Sequence, residues 1–165
     1  MPTSEAAQLS EAIRLKVEDI KRSYEGIDEN TASSAPPGRW SPKQILSHLC
    51  GPEGAGHMPL INAFLEQETP RLDLEIGDPF FSEKRSRMTV KELLSEFEKE
   101  YNRIADLAAG LSAEQLNRKA HIPFLKETPL GEYPTLAMWI KALGERHVGS
   151  HIDHLREILQ ALDAT

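Results

Sequence analysis

Apolar residues recur at helical spacing along most of this chain, with charged residues between them. In the segment from about Ser4 to Tyr24, apolar residues recur at helical spacings with charges between them: Leu9, Ile13, Leu15, Val17 and Ile20. A stripe of this period predicts an amphipathic helix that packs against a core. The next segment, Gly26 to Arg39, is rich in Ser, Pro and Gly and is predicted to be a loop.

The second predicted helix has a well-marked start. Ser41 is a good N-cap, Pro42 suits the first helical position, and Gln44 completes a capping box. Trp40 and Ile45 occupy the two positions of a hydrophobic staple. These four local signals agree, so a helix is expected to begin directly after Ser41.

A proline interrupts this helix soon after His48. The ring of Pro52 would clash with the carbonyl of His48, and residues 51–59 contain three glycines and two prolines. We therefore expect a kink or a break there, followed by more helix from about Leu60 to Gln67.

Two long connections separate the remaining helices. Residues 68–88 lead to a third helix, which opens with a capping box at Thr89 and runs to about Ala109. Residues 117–134 lead to the last helix, predicted from about Thr135 to Ala161. Four long helices with two long crossings predict an all-α bundle that is not simple up-down-up-down.

The β signals are weak, and a small hairpin near Lys119–Phe124 is the most that they allow. A short helical turn is predicted where Ser112 and Gln115 form a further capping box. A length of 165 residues suits one domain, so residues 1–165 are taken as a single four-helix bundle.

Composition and charge exclude several classes of function. A net charge of −7 argues against broad binding to nucleic acid, which needs a basic face. No run of apolar residues is long enough to span a membrane, and the first residues lack the apolar core of a signal peptide. A single cysteine excludes an internal disulfide. A cytoplasmic location is expected.

Three histidines interrupt the apolar stripe of the last helix. On a helical wheel, seven residues fall within about 40° of one line: Leu136, Ile140, Leu143, His147, His151, His154 and Ile158. His147 and His151 are four positions apart and project side by side, a spacing that suits two imidazoles on one metal ion. His151 and His154 share the same face, so the spacing leaves two pairs open.

A shared metal ion and separate hydrogen-bonded core histidines are both open explanations of this stripe. Each buried imidazole needs a polar partner, and the nearby acids Glu145 and Asp153 point away from the stripe. A single histidine on an apolar face is more often a hydrogen-bonded core residue. One shared metal ion would satisfy several ring nitrogens at once.

A third ligand must come from another helix, and His48 is the best candidate. It lies with Ile45 and Leu49 on the inward face of the second helix, although a core histidine bonded to a carbonyl is the alternative. His57 could be a ligand or a loop residue, and the loop is favoured. His121 lies in a connection with no partner visible in the sequence.

Other chemistries find no support. The segment His147–His151 has the spacing of a zincin helix but lacks the glutamate after the first histidine. Cys50 is two residues from His48, faces away from it on a helix, and is expected to be a small buried side chain. No phosphate-binding glycine loop is present.

Two stretches of the chain resemble the DinB/YfiT-like superfamily of metal-binding four-helix bundles. Trp40–Leu49, WSPKQILSHL, resembles the superfamily's W-[ST]-x-x-[EQ]-[IV]-[LV]-x-H-[LM] start of the second helix. His147–Leu155, HVGSHIDHL, resembles its H-x-x-x-H-x-x-Q-[IL] segment on the last helix. Their order and the gap of about a hundred residues also match.

The resemblance implies an up-down-down-up bundle with a three-histidine site. It assigns His48, His147 and His151 as metal ligands. It places His154 where the superfamily usually has glutamine, so His154 is expected to lie beside the ligands or in the pocket. His57 is expected to lie there too. The metal of such proteins is typically zinc or nickel. Known members include thiol-dependent transferases and isomerases that use bacillithiol, mycothiol or glutathione, and homodimers are common.

The chain departs from the superfamily's pattern directly after Leu49. The superfamily often continues as A-D-x-E, whereas this chain has Cys50-Gly-Pro-Glu53. Glu53 matches the acid and is the candidate catalytic group, with a solvated helix acid as the alternative.

Three hypotheses about function follow from these residues and the resemblance. The first is a metal-dependent S-transferase that joins a low-molecular-weight thiol to a small-molecule substrate. The second is a metal-dependent hydrolase, and the third is a non-enzymatic, stress-linked metal-binding protein.

Overall fold

Helices dominate the computed structural model, which describes residues 3–163. They are α1 (Ser4–Ser23), α2 (Glu29–Ala32), α3 (Pro42–Cys50), α4 (Met58–Glu66), α5 (Glu83–Ser86), α6 (Val90–Ala109), α7 (Ala113–Leu116), α8 (Leu136–Ala142) and α9 (Gly149–Asp163). A wide π-helical turn, Leu143–Val148, joins α8 to α9, so these three pieces form one long last helix. The ends of the predicted domain, residues 1–2 and 164–165, lie outside the described residues.

The side-chain contacts give the direction of each long helix. Arg14 of α1 bonds to Asn102 of α6, and Lys21 pairs with Glu98, so α1 and α6 are antiparallel. The last helix also packs on α1, where a Cβ on Gly144 would lie 2.9 Å from Ile13. A larger residue at this position would require the end of the Ile13 side chain to move.

The second long segment, α3 with α4, runs parallel to α6 and antiparallel to the last helix. Cys50 and His57 contact Leu93 and Glu100 in the same order along α6. The ring of His57 lies 6.4 Å from the ring of His147, on the last helix. The order is therefore up-down-down-up, as predicted.

All three predicted capping boxes are formed, at Ser41 with Gln44, Thr89 with Glu92, and Ser112 with Gln115. The predicted break is also present, because α3 ends at Cys50 and Gly51 adopts a φ of 77°. The chain turns over the following residues, and α4 begins at Met58, two residues before the predicted start.

The connections differ from the prediction in detail. The segment predicted as a loop contains α2, and the long connection after α4 contains α5. The hairpin near Lys119–Phe124 is not formed, and the part of the chain that the structure describes has no strand. Two isolated bridges replace it, Arg71 with His121 and Lys119 with Thr135. Residues distant in sequence pair with this segment, which local turn signals do not reveal.

The core fills the space between the four long segments with apolar side chains. Ile13, Leu46, Phe97, Ile104 and Ile140 are among those with no or almost no exposed surface. Within residues 3–163, no helix combines the length and the apolar character that crossing a membrane requires.

Candidate metal centre

Three histidines from two segments of the bundle converge beside a cavity. His48 lies on α3, His147 in the π-helical turn and His151 on α9. Each offers one ring nitrogen, and the three nitrogens lie within 4.8 Å of one another. The Nε2 atoms of His48 and His147 are only 2.9 Å apart. Of the two pairs that spacing left open, the pair that converges with His48 is His147 with His151.

His48 is oriented by the connection that follows α4. Its Nδ1 donates to the carbonyl of Asp78 at 2.7 Å, which leaves the Nε2 lone pair facing the other histidines. The ring of Phe80 stacks on the His48 ring at 6.0 Å with an interplanar angle of 2°. A hydrogen bond from the other ring nitrogen to a backbone carbonyl, as His48 makes to Asp78, is the usual way in which a protein orients a metal-binding imidazole.

A buried arginine holds that connection against α3. Arg85 is 1% exposed, and its guanidinium donates to the carbonyls of Gly51 and Phe80 at 2.6 and 3.2 Å. It also pairs with Glu96 at 2.6 Å. Phe80 has a φ of 50°, uncommon for a bulky residue. Arg85 therefore fixes the end of α3. It also fixes the turn that contains Asp78, whose carbonyl accepts the hydrogen bond from His48.

Burial keeps the cluster in its neutral form. It lowers the pKa of His147 to about 3 and that of His151 to about 4, with His48 as the next contributor in each case. The pKa of His48 is lowered by the same desolvation. Neutral imidazole is the form that binds a metal ion.

The donor set fits a divalent transition metal. Two facing Nε2 atoms at 2.9 Å repel each other unless a proton or a cation lies between them. The Nδ1 atom of His147 is buried without a hydrogen-bond partner among the described residues. A cation bound at the facing Nε2 atoms would remove their mutual repulsion.

His154 lies beside the cluster. Its Nδ1 is 3.3 Å from the Nδ1 of His151. Trp40, predicted only as part of a staple, packs on both rings and stacks on His151 at 6.3 Å and 9°. His154 thus contacts His151 and Trp40, and it is not one of the three histidines whose nitrogens converge.

His57 lies in the turn before α4, as the favoured loop assignment predicts, and its ring is near the cluster. It precedes α4, its Nε2 donates to the carbonyl of Leu49 at 2.8 Å, and it lines the cavity. Its backbone N–H donates to the Glu100 carboxylate at 2.7 Å, and a Cβ on Gly56 would lie 2.3 Å from that carboxylate. Burial lowers the pKa of His57.

Two other sequence candidates lie away from the three nitrogens. Glu53 is exposed in the turn between α3 and α4 and is not among the side chains that line the cavity. Its catalytic role stays a prediction. His121 pairs with Glu132 at 2.7 Å and stacks on Tyr133, in the connection before α8.

The cavity beside the histidines has a volume of about 790 Å³. Aromatic and aliphatic side chains from several elements form most of its wall, among them Trp40, Leu60, Leu74, Phe80, Leu130 and Trp139. A concave, mainly apolar space with a few polar groups at one end is typical of a small-molecule site.

The chain's own nucleophiles are poorly placed beside this cavity. Burial raises the pKa of the Cys50 thiol to about 12, and its Sγ lies 3.8 Å from the carbonyl of Leu93. Ser150 lines the cavity, but its hydroxyl donates to the carbonyl of His147. The prediction that Cys50 is a small buried side chain is confirmed.

Sequence reasoning missed the residues that support the cluster. Asp78 acts through its backbone carbonyl, so no side-chain pattern could reveal it. Arg85 lies in a segment read as a plain connection. Trp40 was visible within the first motif, although its contact with the histidines was not.

The fold and the site define a class of protein: a four-helix bundle in which three histidines converge beside a cavity. No family model and no curated protein matches the sequence. Among solved structures, the chain is similar to YfiT from Bacillus subtilis, described as a probable metal-dependent hydrolase with an unusual four-helix bundle topology. The TM-score is 0.73 at 19% identity, over 99% of this chain and 90% of that chain. The predicted resemblance is confirmed in the fold.

Proposed function

We propose that this protein is a metal-dependent enzyme that acts on a small molecule in the cavity. His48, His147 and His151 would hold one divalent cation, with zinc or nickel as the expected metals. The observation that carries the proposal is the convergence of three neutral imidazole nitrogens within 4.8 Å at the cavity wall. Three protein ligands leave at least one coordination position open, as in catalytic rather than structural zinc sites.

The reaction we favour is transfer of a low-molecular-weight thiol to an electrophilic substrate. A divalent cation at this site would supply Lewis acidity that lowers the pKa of an incoming thiol or water. The support for a nucleophile from outside is that Cys50 is buried with a raised pKa and Ser150 is engaged with a backbone carbonyl.

The chain's own residues would position the reactants and keep water out. Asp78 holds His48 in the tautomer that presents Nε2, and Trp40 packs across His151. Apolar walls would surround the electrophile and lower the local dielectric, which strengthens electrostatic interactions there.

Hydrolysis is the second candidate, because the structural neighbour YfiT is described as a probable metal-dependent hydrolase. Both reactions use the same histidines and the same cavity. They differ in whether a thiol is required.

Metal binding is tested first. Purified protein is stripped with chelator, reconstituted with zinc or nickel, and analysed for metal content. We expect about one ion per chain in the wild type, a large loss in His147→Ala, and no loss in the matched control His121→Ala. Equal metal content in the three proteins would contradict the proposal.

Activity is tested on the reconstituted protein. Conjugation of bacillithiol, mycothiol or glutathione to a chromogenic electrophile is followed with and without chelator, beside cleavage of an ester without thiol. Chelator-sensitive conjugation supports the transferase, and chelator-sensitive cleavage without thiol supports the hydrolase. Inactivity of fully metallated protein in both assays favours the non-enzymatic reading. The homodimer stays a prediction that sedimentation analysis can test.

A further inference from the structure

The cavity extends beyond the three histidines and contains one arginine in its wall. Apart from histidine, the charged residues that line it are Asp73, Glu75 and Arg146. Arg146 belongs to the π-helical turn and directly precedes His147. Its side chain lines the same cavity as the candidate ligands His147 and His151.

Arg146 has no partner of its own. It is exposed, and no carboxylate of the described residues lies within ion-pair distance of it. Most other arginines of the protein form ion pairs, including Arg156 with Asp153 at 3.3 Å on the same helix. A free guanidinium beside an apolar cavity is available to a ligand.

The two acids of the cavity wall form no ion pair with Arg146. Asp73 pairs with Arg71 at 3.5 Å, within the same connection. Glu75 is exposed and lies outside ion-pair distance of Arg146. Beside Arg146 and the proposed metal ion, a cationic group would be repelled by both charges, whereas an anionic group would be attracted by both.

We infer that the cavity binds a small amphipathic carboxylate, with its apolar body along the aromatic walls and its carboxylate on Arg146. This inference rests on the proposed function, for which it names the substrate class. Guanidinium and carboxylate match in a two-pronged geometry, and the apolar body gains by leaving water. Arg146 would thus select for charge, while the wall selects for an apolar chain.

The two tryptophans of the protein make binding visible without any reaction. Trp40 and Trp139 both line the cavity, and the chain has no other tryptophan. Octanoate, octanol and octyltrimethylammonium, which share one chain length, are titrated into metal-free protein while tryptophan fluorescence is recorded. We expect octanoate to bind most tightly and octyltrimethylammonium most weakly.

Variants assign the charge preference to one residue. Arg146→Gln should weaken octanoate about tenfold and leave octanol unchanged. Arg146→Lys should keep most of the preference, and Arg156→Gln is the matched control on the same helix. Circular dichroism checks that each variant is folded.

Two results would overturn the inference. One is octanoate binding no tighter than octanol in metal-free wild type, and the other is equal loss of octanoate affinity in Arg146→Gln and Arg156→Gln. A preference that arises only after metal loading would assign the carboxylate to the metal instead of Arg146 and leave the proposed function standing. Conversely, a protein that retains no metal would fail the proposed function even if metal-free protein prefers octanoate.

Discussion

Helix α6 and the last helix begin from similar patterns but use them differently. Both start at a threonine N-cap and carry an apolar stripe toward the bundle. In α6, which is 20 residues long, the stripe is apolar except for the buried Glu100, and Phe97 and Tyr101 are fully buried. In the last helix the stripe gives way to His147 and His151, and the backbone widens into a π-helical turn.

The two helices therefore differ in role: α6 contributes mainly to the stability of the bundle, and the last helix carries the candidate metal ligands. The buried face of α6 makes only apolar and well-satisfied contacts. The last helix presents neutral imidazoles to a cavity and leaves the Nδ1 atom of His147 without a partner. π-Helical turns are frequent at functional sites, which is consistent with this division.

The largest expected effect lies in α6. The Phe97 ring is fully buried and stacks on Tyr101 at 4.4 Å. Phe97→Ala should lower the free energy of unfolding by about 3–5 kcal/mol, since it leaves a cavity in the core. Urea denaturation of metal-free protein measures this. His147→Ala should lower the free energy of unfolding far less in the same assay. Equal losses in the two variants would contradict the difference between α6 and the last helix.

The second effect concerns metal affinity on the last helix. His151→Ala should reduce it by about a hundredfold or more, because each ligand carries a large share of the binding free energy. His154→Ala should reduce it by only about tenfold, since His154 contacts His151 from outside the cluster. Competition with a chromogenic chelator gives both values. Similar losses would mean that the ligand pair is His151 with His154.

The third effect is a pH dependence to which His147 and His151 of the last helix contribute most, because their pKa values are lowered furthest. The pKa values of His147 and His151 are lowered to about 3 and 4, below the ordinary value of 6.5. At a pH between the lowered pKa of each histidine and 6.5, the unfolded chain binds more protons than the folded chain does. The free energy of unfolding of metal-free protein is therefore highest above pH 6.5 and falls as the pH decreases.

The slope should reach up to about 1.4 kcal/mol per pH unit for each group. Urea denaturation between pH 7 and 5 measures it, and the double variant His147→Gln/His151→Gln should show a flatter profile. An unchanged slope in that variant would assign the dependence to other groups.

The smallest effect tests how His48 is held opposite the last helix. The Asp78 carboxylate accepts the N–H of Phe80 at 2.7 Å and shapes the turn whose carbonyl binds His48. Asp78→Ala should weaken metal binding roughly tenfold with little change in stability, because the side chain is exposed. Asp73→Ala, in the same connection, is the control and should bind metal as the wild type does.

Much of the fold was predictable because its signals are local. The capping boxes at Ser41 and Thr89 mark helix starts within three residues, and Gly51-Pro52 marks the break. The connections were less predictable. The segment near His121 pairs with residues that are distant in sequence, which no local preference specifies.

The candidate site was predictable only in part. The spacing of His147 and His151 showed that they share a face, and the two motifs pointed to His48. Nothing local indicated that the carbonyl of Asp78 would orient His48, or that Arg85 would hold that turn in place.

The sequence by itself determined the four long helices, their caps, the break after Cys50 and the set of histidines available for a metal. Helical period and capping act over a few residues, so they can be read directly along the chain. The tertiary structure alone decided which histidines meet, since His48 and His147 are separated by 99 residues. It also placed Arg146 beside the cavity, with no ion-pair partner among residues 3–163. Such convergence depends on how whole helices pack, and the physical information for that packing is spread over the entire core.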